Sequence, residues 1–377
     1  MFARGQGVQR SRVRVLGSIE DIASMEKEWE QLRNDCGAGI FSSHHLVMEW
    51  LEAFHSVAEP RFLCIEKEGS LAMVAPFVQN SRRHMGVSVR SLYMAGWANR
   101  TLEYYDIGIL HRAGENGIPD LLEGMAKMDW NLLNLNGLSD CPYHNDLMQK
   151  AASIWPSAQM VRIPCPYLDL SGHEDVTELF GTRNRRTVRK VVRELSGSDR
   201  LDSTTLESKE EMERAMMSYV EMHRRRWSDK GGSIFQDSRQ RDFLVGMARL
   251  LAERSQGRIY ETRIDGVLAA QALCIFDRGM ARIYRISMND ELMSYSPGYL
   301  LFQQMLTDLK REGIKKVDLG AGPEEFKYRL GARDAYVLGL RMDRGGLRMA
   351  SRLGRTPGVG TVLKGTGLRE RFLKGVS

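Results

Sequence analysis

A chain of 377 residues with 42% hydrophobic and 27% charged side chains has the make-up of a folded globular protein. It is too long for one ordinary core, so two domains are expected. The net charge of +6 is uneven: residues 344–377 hold eight Lys/Arg against one Glu, which leaves the rest close to neutral, with a second basic cluster at Arg183–Arg193.

No apolar run approaches bilayer length; the longest, Ser70–Val78 and Gly266–Phe276, are strand-sized. Five scattered cysteines without a C-x-x-C argue against a disulfide framework or a structural zinc site. Eight dispersed histidines with no H-x-x-x-H pair give metal ligation no support. The basic start, Met1–Arg14, is followed by no apolar stretch of a secretory signal, so the cytoplasm is the expected compartment.

Residues 1–11 read as disordered. Arg12–Leu16 suits a strand and Ser18–Cys36 a helix with Ile22, Met25, Trp29 and Leu32 on one side. Phe41-Ser-Ser opens a second helix carrying Leu46, Trp50 and Phe54. Strand-like runs follow at Arg61–Glu66, Leu71–Gln79 and Val87–Ala95. A helix over Glu115–Met128, a strand over Asn131–Asn136, a helix near Tyr143–Ile154 and a strand at Gln159–Ile163 complete this half. Pro164-Cys-Pro166 then breaks the chain, because each proline forces its predecessor into an extended conformation.

The second half repeats the order of elements. Helices are read at Asp175–Ser196, Lys209–Lys230 and Gln236–Arg254. Arg258–Ile264 and Val267–Phe276 form a hairpin across Asp265-Gly266, with Ala281–Met288 as the next antiparallel strand. Ser296 is placed to cap a helix, Pro297 suits its first position, and Gly298 lets another group approach the backbone. Leu301, Met305 and Leu309 mark the buried face of that helix. A strand ends at Asp318 before a glycine turn, and Tyr336–Met342 closes the same sheet. The domains are thus expected at 12–165 and 166–343, followed by a basic tail over 344–377.

A helix start such as Ser296–Gly298 has unpaired N–H groups and a partial positive charge, which suit a phosphate; they also suit an ordinary capped core helix. On the next turn, Lys327 can bind phosphate or stabilise an oxyanion, and Tyr328 can protonate a leaving thiolate. Asp318 or Glu325 can act as base, while a solvated turn with surface ion pairs is the plainer alternative. His223 and Trp227 lie one helical turn apart, and a histidine with an ordinary pKa near 6.5 suits proton removal from an amine. The same histidine also suits a hydrogen bond at the domain seam. Arg186 and Lys190 stand on the polar side of an amphipathic basic helix, fit for an anionic substrate or simply for water.

Taken in order, several stretches resemble the CelD-type (cellulose-biosynthesis) acyltransferases of the GNAT superfamily and, more distantly, Fem-type peptidyltransferases with duplicated GNAT folds. They are Phe41-Ser-Ser with Trp50-Leu-Glu-Ala-Phe54, Cys165-Pro-Tyr-Leu-Asp-Leu170, Arg185-Arg-Thr-Val-Arg189 and His223-Arg-Arg-Arg-Trp227 with Phe235. Leu268–Phe276, Ser296-Pro-Gly298 and Asp318-Leu-Gly-Ala-Gly322 with Phe326-Lys-Tyr328 continue the series, so that it spans about residues 40–343. The resemblance implies an α/β (α+β mixed-sheet) chain of two tandem GNAT-like domains packed together, and an acetyl-CoA or other acyl-CoA donor with no metal. It places the donor on Tyr295, Ser296, Pro297, Gly298, Tyr299 and Leu300, although only one glycine stands where a GNAT phosphate loop has several. Catalysis then falls to Lys327, Tyr328, Asp318, Glu325 and His223, and acceptor binding to Arg186, Lys190, Trp227 and Arg285.

The acceptor implied is an amine or hydroxyl of an envelope or exopolysaccharide precursor. The tail is a candidate contact for the anionic inner face of a membrane. Nucleic acid is not expected, except tRNA in the alternative of a Fem-type aminoacyl-tRNA-dependent transferase. A non-catalytic scaffold with the same fold is the third alternative.

Overall fold

The computed structural model describes residues 11–84, 87–96, 109–112, 117–196, 200–228 and 231–344. The expectations for residues 1–10 and for the tail from 345 onward lie outside that range. The described Arg344 donates to the carbonyls of Met125, Ala126 and Met128 and stacks 3.9 Å over Trp130.

The first half comprises β1 (Arg12–Leu16), α1 (Ile19–Ala23), α2 (Glu26–Asp35), α3 (His44–Phe54), β2 (Glu59–Pro60), β3 (Phe62–Lys67), β4 (Ser70–Ala75) and β5 (Phe77–His84). It continues through β6 (Val87–Met94), β7 (Leu110–His111), α4 (Ile118–Lys127), β8 (Leu132–Ser139), α5 (Pro142–Ile154) and β9 (Gln159–Pro164). The second half holds β10 (Tyr167–Asp169), α6 (Thr182–Ser196), β11 (Leu201–Leu206), α7 (Lys209–Trp227), α8 (Ser238–Glu253), β12 (Gly257–Ile264) and β13 (Val267–Asp277). β14 (Met280–Met288), α9 (Pro297–Arg311), β15 (Lys316–Asp318), α10 (Glu325–Arg329) and β16 (Tyr336–Asp343) follow.

Among the described residues three sheets result: β1-β3-β4-β7, β2-β5-β6-β8-β16-β9 and β10-β15-β14-β13-β12-β11. Two corrections concern strands. The single strand read over Leu71–Gln79 is two strands in different sheets, because Pro76 has no N–H to continue a ladder. Tyr336–Met342 does not close the second-half sheet: β16 lies between β8 and β9, antiparallel to both.

Two helices also break where one was read. Ser18–Cys36 divides between α1 and α2, and Asp175–Ser196 becomes a 3-10 turn at Val176–Leu179 followed by α6. No described helix is long and apolar enough to cross a membrane.

Two main cores hold these layers. The first gathers Trp29, Trp50, Phe54 and Phe62 of the first half with Met212, Met216, Phe243 and Met247 of α7 and α8, so two helices of the second half pack into it. The second joins β12–β15 to α6 and α9 through Val188, Leu301, Met305 and Leu309. Those last three side chains are fully buried, as their i, i+4, i+8 spacing predicts. Each such burial contributes about 1.5–3 kcal/mol, which fixes α9 against the sheet.

Candidate active site

β14 organises the site because its two edges are treated differently. Along β13 it pairs over nearly its full length, whereas its parallel pairing with β15 covers only Ala281↔Val317 and Arg282↔Asp318. Beyond Arg282, the stretch Ile283–Met288 has no strand beside it on that side among the described residues. A bulge interrupts the β13 ladder, since Leu273 faces Arg285 while Cys274 faces Ile283, leaving Tyr284 as the extra residue.

The extra residue sets which groups face where. Ala281, Ile283, Ile286 and Met288 join the second core under α9. Arg282 and Tyr284 instead meet Phe41 of the first half, at 5.7 and 6.2 Å, and Ser287 meets Met222 of α7.

From β14 the chain passes through a 3-10 turn, Asp290–Tyr295, into α9. Ser296 occupies the N-cap position, but in the left-handed conformation (φ 55°, ψ 52°), and its side chain makes no capping bond. The capping expected of its hydroxyl is therefore corrected: its carbonyl accepts from the Tyr299 and Leu300 amides at 3.0 and 3.4 Å. Pro297 takes the first helical position, and no acidic residue lies in the first turn. A Cβ on Gly298 would stand 2.7 Å from Met288 Sδ, so the close neighbour that needs a glycine here is the end of β14.

Of the other donor-side candidates, Leu300 is buried, Tyr295 packs half-buried on the second core, and Tyr299 accepts a 2.7 Å hydrogen bond from Asn184. What remains for an anion is the helix terminus with its first-turn amides, at the end of an open strand edge.

The structure brings His223, Trp227 and Arg285 together at this end of β14. A capping box at Ser208 and Glu211 starts α7, whose last turns carry His223 and Trp227. The imidazole stacks on Trp227 (5.7 Å, 14°), meets Phe235 edge-on at 5.0 Å, and its Nδ1 lies 2.8 Å from Ser233 Oγ. Burial, with the charges of Arg285 and Arg226 added, pushes its pKa down to about 4. The ring is therefore neutral near pH 7 but a weak base. An anion bound near Arg285 and Arg226 would raise its basicity. Ser233 and Arg226 were not singled out from sequence; Ser233 lies ten residues beyond His223 on a glycine turn, with no local signal.

The α10 candidates are differently placed. Lys327 is 4% exposed, and its ammonium donates to the carbonyls of Gly320, Ala321 and Gly322 at 2.8, 3.0 and 3.1 Å while pairing with Glu324 at 2.8 Å. Its donors are spent on the glycine loop, which corrects the expectation that Lys327 faces a phosphate or an oxyanion. Tyr328 donates to Asp334 at 2.7 Å, and burial together with that carboxylate pushes its pKa up to about 12. Glu325 is an exposed partner of Arg329 at 2.6 Å. Asp318 accepts from the Gly320 amide at 2.8 Å and lies 3.9 Å from Arg282, so it shapes the loop where β14 and β15 part.

Arg186 and Lys190 are exposed on α6, with Lys190 3.6 Å from Glu194. Asn184, on the first turn of the same helix, donates to Tyr299 of α9. A cavity of about 470 Å³ lies elsewhere, between β1, β3, β5, β6 and α4. Its charges are paired within the first half, Arg61 with Glu59 and Arg90 with Asp129.

Residues 182–328, which include β14, α9 and β15, match the acetyltransferase (GNAT) domain. The second half of the chain carries a GNAT-fold acetyltransferase domain. No curated protein sequence matches the chain.

Among solved structures, FemX is 10% identical, covers 88% of this chain and 98% of its own, and superposes with a TM-score of 0.54. The C-terminal domain of a putative lysylphosphatidylglycerol synthetase from Agrobacterium fabrum is 13% identical over 92% of this chain and 98% of its own, with a TM-score of 0.52. A Bacteroides thetaiotaomicron protein of unknown function matches at 10% identity over 88% of this chain and 100% of its own, TM-score 0.52. These likenesses extend over both halves and show the fold: two GNAT-like folds in tandem with mixed sheets.

Proposed function

We propose that the GNAT domain transfers an acyl group from acetyl-CoA or a longer acyl-CoA to an amine or hydroxyl, in a CelD-type reaction on an envelope or exopolysaccharide precursor. The observation that carries the donor side is the open edge of β14 ending at the α9 N-terminus. A strand edge offers alternating N–H and C=O groups to the amides of a pantetheine arm, and the first turn of α9 offers amides and a positive dipole end to a pyrophosphate. The donor supplies an activated acyl carbonyl; the protein has only to hold it and manage two protons. His223, neutral on the last turns of α7, is the residue we assign to accept a proton from the acceptor amine. Arg285 beside it provides positive charge for an anionic donor, with Arg226 shared with Asp290 at 3.5 Å, and Trp227 provides an apolar wall. Lys327 serves as a positioning residue that keeps the loop Gly320–Gly322 in shape. We assign Arg186 and Lys190 no direct contact with the reacting atoms.

Calorimetric titration of the full chain with acetyl-, octanoyl- and palmitoyl-CoA tests the donor, and free-thiol release upon adding amino sugars tests transfer. Failure of every acyl-CoA to bind at millimolar concentration would sink this reading. The likeness to FemX and to the synthetase domain keeps a second reading in view, aminoacyl transfer from tRNA. That alternative requires retention of charged tRNA on the chain and indifference to CoA.

A further inference from the structure

We propose that Cys141, at the β8–α5 junction of the first half, is a thiolate held ready for covalent modification, with a hydroperoxide as its reactant. Cys141 is half-buried at the N-cap of α5, a helix of thirteen residues. Its Sγ lies 3.3 Å from His144 Nδ1, and Ser139 Oγ lies 3.8 Å from the same sulfur. That Nδ1 also lies 2.9 Å from the Ser139 carbonyl, which can only accept, and 3.1 Å from Ser139 Oγ, so Nδ1 carries the proton and shares it between the carbonyl and the sulfur.

His144 is itself 5% exposed, and its Nε2 has no hydrogen-bond partner among the described residues. Leaving that nitrogen unsatisfied carries a desolvation cost. On the other side of the ring, the Nδ1–H stabilises an anion on Cys141, which the positive end of the α5 dipole favours as well.

The surroundings select the reactant. His111 of β7 stacks on Tyr143 at 3.5 Å and meets His144 edge-on, making an aromatic wall. The charged groups nearby are Asp140, paired with Arg162 of β9 at 2.7 Å, and Asp146, paired with Lys150 at 2.8 Å. Two carboxylates and, among the described residues, no uncommitted cation beside the sulfur disfavour an anionic electrophile, and partial burial disfavours a bulky one. A small neutral peroxide meets both limits.

The other cysteines differ in kind. Burial pushes Cys64 and Cys274 up to about 12 and raises Cys36, whereas the His144 hydrogen bond brings Cys141 down to about 7. In the reaction the thiolate sulfur attacks one peroxide oxygen, the O–O bond breaks, and the departing hydroxide takes a proton from solvent. The sulfur loses two electrons to become a sulfenic acid, and the peroxide is reduced to water.

The test uses the full-length chain. Its alkylation by iodoacetamide, followed by peptide mass spectrometry across pH 5–10, should show Cys141 labelled at least tenfold faster than Cys36 at pH 7, with a half-maximal rate near pH 7. Hydrogen peroxide with dimedone should then give a sulfenic adduct at Cys141. The variant His144→Asn should move the alkylation midpoint toward the 8.5 of a free thiol. The wild-type profile needs no variant and decides by itself: labelling of Cys36 first, a Cys141 midpoint above pH 8.5, or no dimedone adduct would each overturn the proposal.

Discussion

Each half of the molecule contains a strand, a helix and a parallel strand, and the two units differ where it counts. In the first, β6 pairs with β8 from Ser91 to Tyr93 and ends one residue later, at Met94, while β8 runs on to pair with β16. In the second, β14 pairs with β15 at its start and then continues through Ile283–Met288 without it. Among the described residues, the first strand of the pair therefore stops beside its partner in one half and runs on without it in the other. A strand that runs on in this way leaves main-chain hydrogen-bonding groups for a guest. That difference, together with the family match over residues 182–328, is why we propose the donor site in the second half.

The largest test of this contrast is Gly298→Glu, which puts bulk against Met288 and a negative charge on the α9 terminus. Acyl-CoA affinity should fall at least a hundredfold by calorimetry, while Asp120→Asn, on the first turn of α4, should change it less than twofold. Equal losses from both would erase the distinction. Circular dichroism melting accompanies the measurement, to separate lost binding from lost folding.

Lys327→Ala comes next. Removing a buried ammonium that satisfies three carbonyls and a carboxylate should cost about 3 kcal/mol, read as a melting temperature lower by about 4 °C for a chain of 377 residues. A variant that melts like the wild type yet turns over a hundredfold more slowly would instead return Lys327 to a chemical role.

His223→Gln should lower kcat/KM about tenfold to a hundredfold with donor affinity nearly unchanged. The histidine also predicts a pH effect on stability. Its folded pKa is depressed to about 4 from 6.5, so the unfolded chain binds the proton more readily. Stability is full above pH 6.5 and is lost as pH falls toward 4. The wild-type melting temperature should drop across that window more steeply than that of His223→Gln. Parallel curves would show that the ring is not desolvated as described.

The smallest effect belongs to Arg186→Ala and Lys190→Ala, whose solvated charges should alter donor affinity less than twofold.

Much of the second half was legible because its signals are local. The Asp265-Gly266 hairpin, the i, i+4, i+8 face of α9 and the His223–Trp227 turn all depend on residues within a few positions of one another. What escaped was set by distant partners. Lys327 looked like a free cation on a loop; its true neighbours are the carbonyls of the preceding glycine turn, and a sequence does not show which way a side chain folds back. Ser296 is a favoured capping residue by type, but the turn before it demands a left-handed residue and overrides the cap. Pro76 marked a break between two sheets, a signal present in the sequence and passed over. The strand Tyr336–Met342 was read as a strand and assigned to the nearer sheet, since proximity in sequence is the usual guide to pairing and here it fails.

That strand has a consequence for how the protein comes into being. β16 fills the slot between β8 and β9, so the central sheet of the first half lacks an interior member until residue 343 has left the ribosome. At the usual pace of synthesis the wait is on the order of ten seconds or more after β9 emerges, during which two facing strand edges stand unpaired. A nascent chain in that state is a substrate for chaperones and for mispairing with its neighbours. A chain cut before Tyr336 would remain there permanently. The last described strand thus works as a closing pin: the sheet of the first half is complete only once the second half has been made.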